Sequence, residues 1–81
     1  MWELEYSPEA TNYVLDSYPY NEAVLVAIET LAQTDEGIPD ANWDEWQPEY
    51  FLWVVAEHLV SYQKILDERP KLRILIIKPL D

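Results

Sequence analysis

From Leu72 to Ile77 five of six consecutive residues are large and aliphatic, Leu72, Ile74, Leu75, Ile76 and Ile77, with only Arg73 between them. A run of this kind reads as a central β-strand, apolar on both faces and flanked by other strands. Asp67-Glu68-Arg69-Pro70 supplies a turn before it, and Lys78, Pro79 and Asp81 end it. A chain of 81 residues has room for one core. The remaining elements therefore have to be arranged around this strand in a single domain covering residues 1–81.

At the other end, Trp2, Leu4 and Tyr6 alternate with Glu3 and Glu5. A period of two places the apolar groups on one face of a strand and the acids on the other. Ser7-Pro8-Glu9 follows, with a capping side chain, a proline suited to the first helical position and an acid at the positive end of the helix dipole. A short helix is expected here, with Ala10, Tyr13, Val14 and Ser17 on one side, breaking before Pro19 because the residue preceding proline disfavours helical geometry. Asn21 is placed to cap a second helix. From Glu22 to Gln33, Val24, Leu25, Ile28, Leu31 and Ala32 recur at intervals of three and four, an amphipathic stripe.

From Thr34 to Pro48 periodicity gives way to Asp35, Glu36, Gly37, Pro39, Asp40, Asn42, Asp44 and Glu45, which reads as an acidic surface loop, with Gly37 closing the helix before it. Trp43 and Trp46 inside this segment are expected to pin the loop to the core, since indoles are costly to leave in water. The stretch from Tyr50 to Leu66 supports two readings. Phe51, Leu52, Val55, Leu59, Tyr62 and Leu66 fit a helical stripe that Pro48 could start. Tyr50, Phe51, Trp53, Val54, Val55, Val60 and Tyr62 are β-branched or aromatic and favour two strands with a tight connection at Ala56-Glu57, although that turn lacks the glycine or asparagine such connections prefer.

Charge restricts function. The first 63 residues contain no lysine or arginine and hold thirteen of the sixteen carboxylates, whereas Lys64, Arg69, Lys71, Arg73 and Lys78 crowd the end, for a net charge of −11. Such a surface repels phosphate backbones, so direct nucleic-acid binding is not expected. The 49% hydrophobic content predicts a folded chain despite the charge. Absence of cysteine removes disulfides and thiolate chemistry and fits a reducing, cytoplasmic setting. The acidic Trp2-Glu3-Leu4-Glu5 opening lacks a signal-peptide n-region. The longest apolar run, Tyr50 to Ala56, is too short to span a bilayer, so no membrane association is expected.

Candidate chemistry is sparse. His58 is the single histidine, beside Glu57, and is expected at or partly below the surface without a catalytic duty. The acids Asp35, Glu36, Asp40, Asp44 and Glu45 do not follow calcium-loop spacing and read as solvated. No nucleophile, base and orienter can be assembled, so no catalytic residues, metal or cofactor are assigned. Lys64, Lys71, Arg73 and Lys78 are expected to offset acids across a hairpin. The six tyrosines exceed what a core of this size needs, and Trp43, Asp44, Glu45, Trp46 and Tyr50 form a candidate protein-interaction patch.

In the order strand, short helix, longer helix, acidic loop and strands, the opening Trp2-Glu3-Leu4-Glu5-Tyr6-Ser7-Pro8-Glu9-Ala10 resembles the RelE/ParE superfamily of toxin-antitoxin toxins. Members commonly begin with a short strand running into Ser-Pro-Glu-Ala at the first helix, continue through two helices and close with an antiparallel meander. The likeness covers almost the whole chain in element order, and the first ten residues as a motif. It implies an α+β fold with an N-terminal strand, two helices and an antiparallel β-meander, and tips Tyr50 to Leu66 towards strands. Ribonuclease activity in the RelE branch depends on basic residues along the meander and on a C-terminal aromatic or basic residue. Here Leu52, Val54 and Leu59 stand where arginine or lysine is usual, and Ile76 where the penultimate strand's arginine would lie. Arg73 alone matches a family-type basic position, and the chain stops at Asp81 before the catalytic tail. Without cations a dianionic transition state loses its main stabilisation, so messenger-RNA cleavage is not expected. The ParE branch acts by binding gyrase, so the resemblance implies a toxin-like protein that works through protein-protein binding. Its partner would be basic or aromatic-recognising, with an antitoxin-like peptide or a homodimer both open. A second expectation rests on charge alone: an acidic decoy that occupies the basic groove of a DNA- or RNA-binding protein.

Overall fold

A computed structural model describes residues 1–80; Asp81, expected among the residues ending the last strand, lies outside the described residues. The elements are β1 (Glu3–Tyr6), α1 (Pro8–Asp16), α2 (Glu22–Ala32), β2 (Trp43–Gln47), β3 (Tyr50–Val55), β4 (His58–Ile65) and β5 (Lys71–Pro79). They form a five-stranded sheet in the order β1-β5-β4-β3-β2. Strands β2 to β5 are an antiparallel meander, and β1 returns alongside β5 in parallel. The architecture is α+β: an N-terminal strand, two helices, then four antiparallel strands.

The N-terminal reading holds for β1 and the start of α1. The Ser7 hydroxyl accepts a hydrogen bond from the Ala10 amide at 3.0 Å and donates one to the Leu75 carbonyl at 2.6 Å. One cap thus starts α1 and ties it to β5. Asn21 occupies the N-cap of α2, but its side chain does not cap; its amide donates instead to the Val14 carbonyl at 2.7 Å, holding the two helices together. Ala10 from α1 and Val24, Ile28, Leu31 and Ala32 from α2 form one core with Phe51, Trp53, Val60, Tyr62, Leu72, Ile74 and Ile77.

Strand β5 is central, as expected, but only one of its faces is covered. Leu72 and Ile74 are buried, then Ile77, so the parity of burial changes midway. The pairing moves from Tyr62 with Ile74 to Ser61 with Ile76, which leaves Leu75 as the extra residue of a bulge. Beyond the bulge Ile76 faces outward.

Tyr50 to Leu66 contains the hairpin β3-β4, with Val55 opposite His58 and Ala56-Glu57 as the two-residue turn. Both turn residues are left-handed, with φ of 52° and 61°. That is the turn the right-handed strand twist favours, made without the glycine that would relieve it. Two further features depart from expectation. The acidic segment is not loop throughout, because Trp43–Gln47 forms edge strand β2; every one of its residues is exposed, so no alternation of burial marked it. Gly37 does not close α2, whose C-cap is Gln33. Gly37 turns the chain four residues later at φ +66°, where an added Cβ would lie 2.9 Å from the Trp2 ring.

Candidate interaction surface

The helices cover one side of the sheet and leave the other open. Along the antiparallel ladders successive residues alternate between these sides. Phe51 and Trp53 on β3 and Val60 and Tyr62 on β4 face the helices. By the same alternation Tyr50, Leu52 and Val54 face outward, as do Leu59, Ser61 and Gln63 on β4. The register sets Leu52 beside Ser61 and Ser61 beside Ile76, with Val54 beside Leu59. Leu52, Val54, Leu59 and Ile76 are therefore one apolar patch on the open face. Val54 is 41% and Ile76 40% exposed.

Around this patch the residues differ in charge. Lys71, Arg73 and Lys78 share the outward side of β5, whereas Asp44 on β2, opposite Leu52, supplies the acid at the far edge. Arg73 is paired through Nε with Glu5 at 2.9 Å, and Arg69 with Glu3 at 2.9 Å. Both partners belong to the parallel neighbour β1, which lays its acids on the same outward side, so Arg73 is not paired across a hairpin as expected. Lys64 has a different role from the expected charge offset: its Nζ lies 5.2 Å from the Trp2 ring centroid and 5.7 Å from that of Phe51.

The five residues singled out in the acidic segment do not share one face. Trp43 stands opposite Trp53 and Glu45 opposite Phe51, on the helix side, while Asp44 and Tyr50 are on the open side. The Trp43 ring lies 5.8 Å from Phe51, and Trp46 lies 5.7 Å from Tyr50. Trp43 thus packs against a core residue, as expected of an indole that pins this segment, whereas Trp46 lies against Tyr50, which is not part of the core. The two indoles remain 39% and 50% exposed, because an edge strand has a neighbour on one side only. Glu45 also accepts a hydrogen bond from the Glu49 amide at 2.8 Å, bracing the β2-β3 turn.

His58, expected at or near the surface, is fully buried. Its Nδ1 is 2.7 Å from the Ala56 carbonyl, which can only accept, so the ring proton belongs on Nδ1. Nε2 then accepts from the Tyr13 hydroxyl at 2.6 Å. The histidine joins α1 to the β3-β4 turn and, among the described residues, forms no ion pair with a carboxylate. Tyr62 is buried with its hydroxyl donating to the Gly37 carbonyl at 2.9 Å. Burial raises its pKa above the ordinary phenol value, and the Glu45 carboxylate adds to the shift. Tyr6 is raised in the same way, by burial and then by Glu29.

A cleft of about 590 Å³ opens between α2, the 38–42 segment and the end of β3, with Trp53 and Val55 on one wall and Asp40 and Glu57 in its lining. No histidine, lysine or arginine lines it. Among the described residues no three histidine, cysteine or carboxylate side chains come together to hold a metal ion, and no helix is long and apolar enough to cross a membrane. Comparison with known proteins gives no match among family models, curated proteins or solved structures.

The apolar patch was not recognised from sequence as a surface. Its signal was present, since the alternation of Leu52, Val54 and Leu59 with Phe51, Trp53 and Val60 makes β3 and β4 apolar on both sides. That pattern alone does not say which side the helices take.

Proposed function

We propose that this chain is a RelE/ParE-like domain that acts by binding protein and does not cleave messenger RNA. The observation that carries the reading is the open sheet face, where Leu52, Val54, Leu59 and Ile76 form an apolar patch with no cation among them. An apolar surface desolvates a protein contact well and stabilises a phosphorane poorly. The two arginines nearest β1 are engaged with Glu3 and Glu5, which further reduces what the face could offer a phosphate. The working compartment under this reading is the cytoplasm, where both antitoxin-like and gyrase-like partners would be met.

Two measurements test it. Primer extension on messenger RNA translated in vitro with the purified protein should show no new stops; discrete stops at the ribosome would refute the non-nuclease reading. A photo-crosslinking residue placed at Val54 should capture discrete protein adducts in cells. Adducts confined to nucleic acid would refute the binding reading.

A further inference from the structure

We infer that the cleft between α2, the 38–42 segment and the end of β3 is a binding site for a small organic cation, an amine carried on an apolar body. Such a site stands or falls independently of protein binding at the open sheet face.

The cleft has the size of a ligand site, since its volume of about 590 Å³ lies within the roughly 300–1,000 Å³ typical of small-molecule pockets. Leu31, Ile38, Trp53 and Val55 give it apolar walls. Its two threonines are already engaged within the chain. Thr30 donates to the Val26 carbonyl at 2.9 Å. Thr34 donates to the Leu31 carbonyl at 2.7 Å and accepts from the Gly37 amide at 3.0 Å. The polar side chains left to a ligand are Asn42 and the carboxylates of Asp40 and Glu57. Among the described residues neither carboxylate is in an ion pair, because both arginines are taken up by Glu3 and Glu5 and Lys64 lies over Trp2. No lysine, arginine or histidine lines the cleft. An anion there would face two carboxylates with no cation to offset it, and a neutral apolar ligand would leave both carboxylates unused. A cation with an apolar body satisfies the walls and the acids together.

Glu57 is an unusual residue for its place. It is held at φ 61°, a conformation that glycine adopts without penalty. The bond from the Leu80 amide to its carbonyl does not need the side chain. Its side chain is exposed and lines the cleft. A carboxylate retained at a strained turn, where a smaller residue would serve the fold better, is placed to receive a positive charge.

Titration of the full chain with 1-naphthylmethylamine near neutral pH and at low salt, followed by two-dimensional amide and indole NMR, tests the proposal. Saturable shifts are expected at the Trp53 indole and at amides of 30–34, 38–42 and 53–57. Asp40→Asn and Glu57→Gln should each weaken the amine about two- to fivefold, the range for exposed charge pairs. The neutral isostere 1-naphthalenemethanol should bind the parent about tenfold more weakly than the amine, and neither variant should change its affinity. Asp44→Asn, on β2 and outside the cleft lining, is the control for general attraction to an acidic surface and should leave amine affinity nearly unchanged. The spectra themselves report whether each variant is folded. No saturable binding up to the millimolar range, equal affinity for amine and alcohol, or an amine affinity that Asp44→Asn lowers as much as Glu57→Gln would overturn the proposal. Tighter binding of the dipeptide N-acetyl-Trp-Lys-amide than of the amine would assign the cleft to side chains of a protein partner and overturn the free ligand as its occupant.

Discussion

Glu57 is held at φ 61° in the β3-β4 turn, directly after Ala56 at φ 52°. For an L-residue with a Cβ the left-handed region costs roughly 1–2 kcal/mol, because the side chain crowds the following carbonyl. Glycine removes that cost, and gives back roughly 0.5–1 kcal/mol through the greater freedom of its unfolded chain. Glu57→Gly should therefore stabilise the fold by about 0.5–1 kcal/mol. In a domain of this size that raises Tm by roughly 2–8 °C. The backbone contact made there is independent of the side chain, since the Glu57 carbonyl accepts from the Leu80 amide at 2.9 Å. Urea and thermal unfolding followed by circular dichroism measure the change. Glu57→Gln is the control, because it removes the same charge while keeping the Cβ, and should leave stability within about 0.5 kcal/mol of the parent. If Gly and Gln shift stability equally, the gain comes from relieving charge and the strained-turn reasoning fails. If Gly lowers stability, the segment is not a left-handed hairpin turn.

Other substitutions test separate parts of the structure. Gly37→Ala should cost about 2–4 kcal/mol by urea denaturation, because it adds a left-handed penalty to a contact with the Trp2 ring at 2.9 Å. Ser7→Ala removes both the α1 cap and the bond to the Leu75 carbonyl and should lower stability by about 1–2 kcal/mol, with faster hydrogen exchange across α1. The raised phenols predict alkaline sensitivity. Tyr62 and Tyr6 are favoured in the protonated form when folded, so their contribution is fully present below the ordinary phenol pKa of 10.0 and is lost as pH rises above it. Tyr62→Phe should lower neutral-pH stability by about 1 kcal/mol, through loss of the bond to Gly37, while flattening the decline measured above that pH.

The sequence by itself determined the parts whose signals are local. Ser7-Pro8-Glu9 starts a helix wherever it is placed, since the cap, the fixed proline φ and the dipole all act within one turn. The stripe from Val24 to Ala32 requires a helix with one buried side, and the aliphatic run Leu72 to Ile77 requires a strand with neighbours on both sides. Tertiary structure decided the rest. Tyr50 to Leu66 satisfies a helical stripe and a strand propensity at once, and only pairing with β2 and β5 resolves it, at the cost of two left-handed residues in the turn. Strand β2 carries no periodic signal, because an edge strand exposed at every position acquires its form from β3 alone. The identity of the open face was likewise undetermined: β3 and β4 are apolar on both sides, and the helices, held by Ser7 to the Leu75 bulge and by Tyr13 to His58, take one side and leave Leu52, Val54, Leu59 and Ile76 on the other. Local chemistry fixes elements, whereas the side of a doubly apolar sheet that meets water depends on contacts between residues as far apart as Ser7 and Leu75.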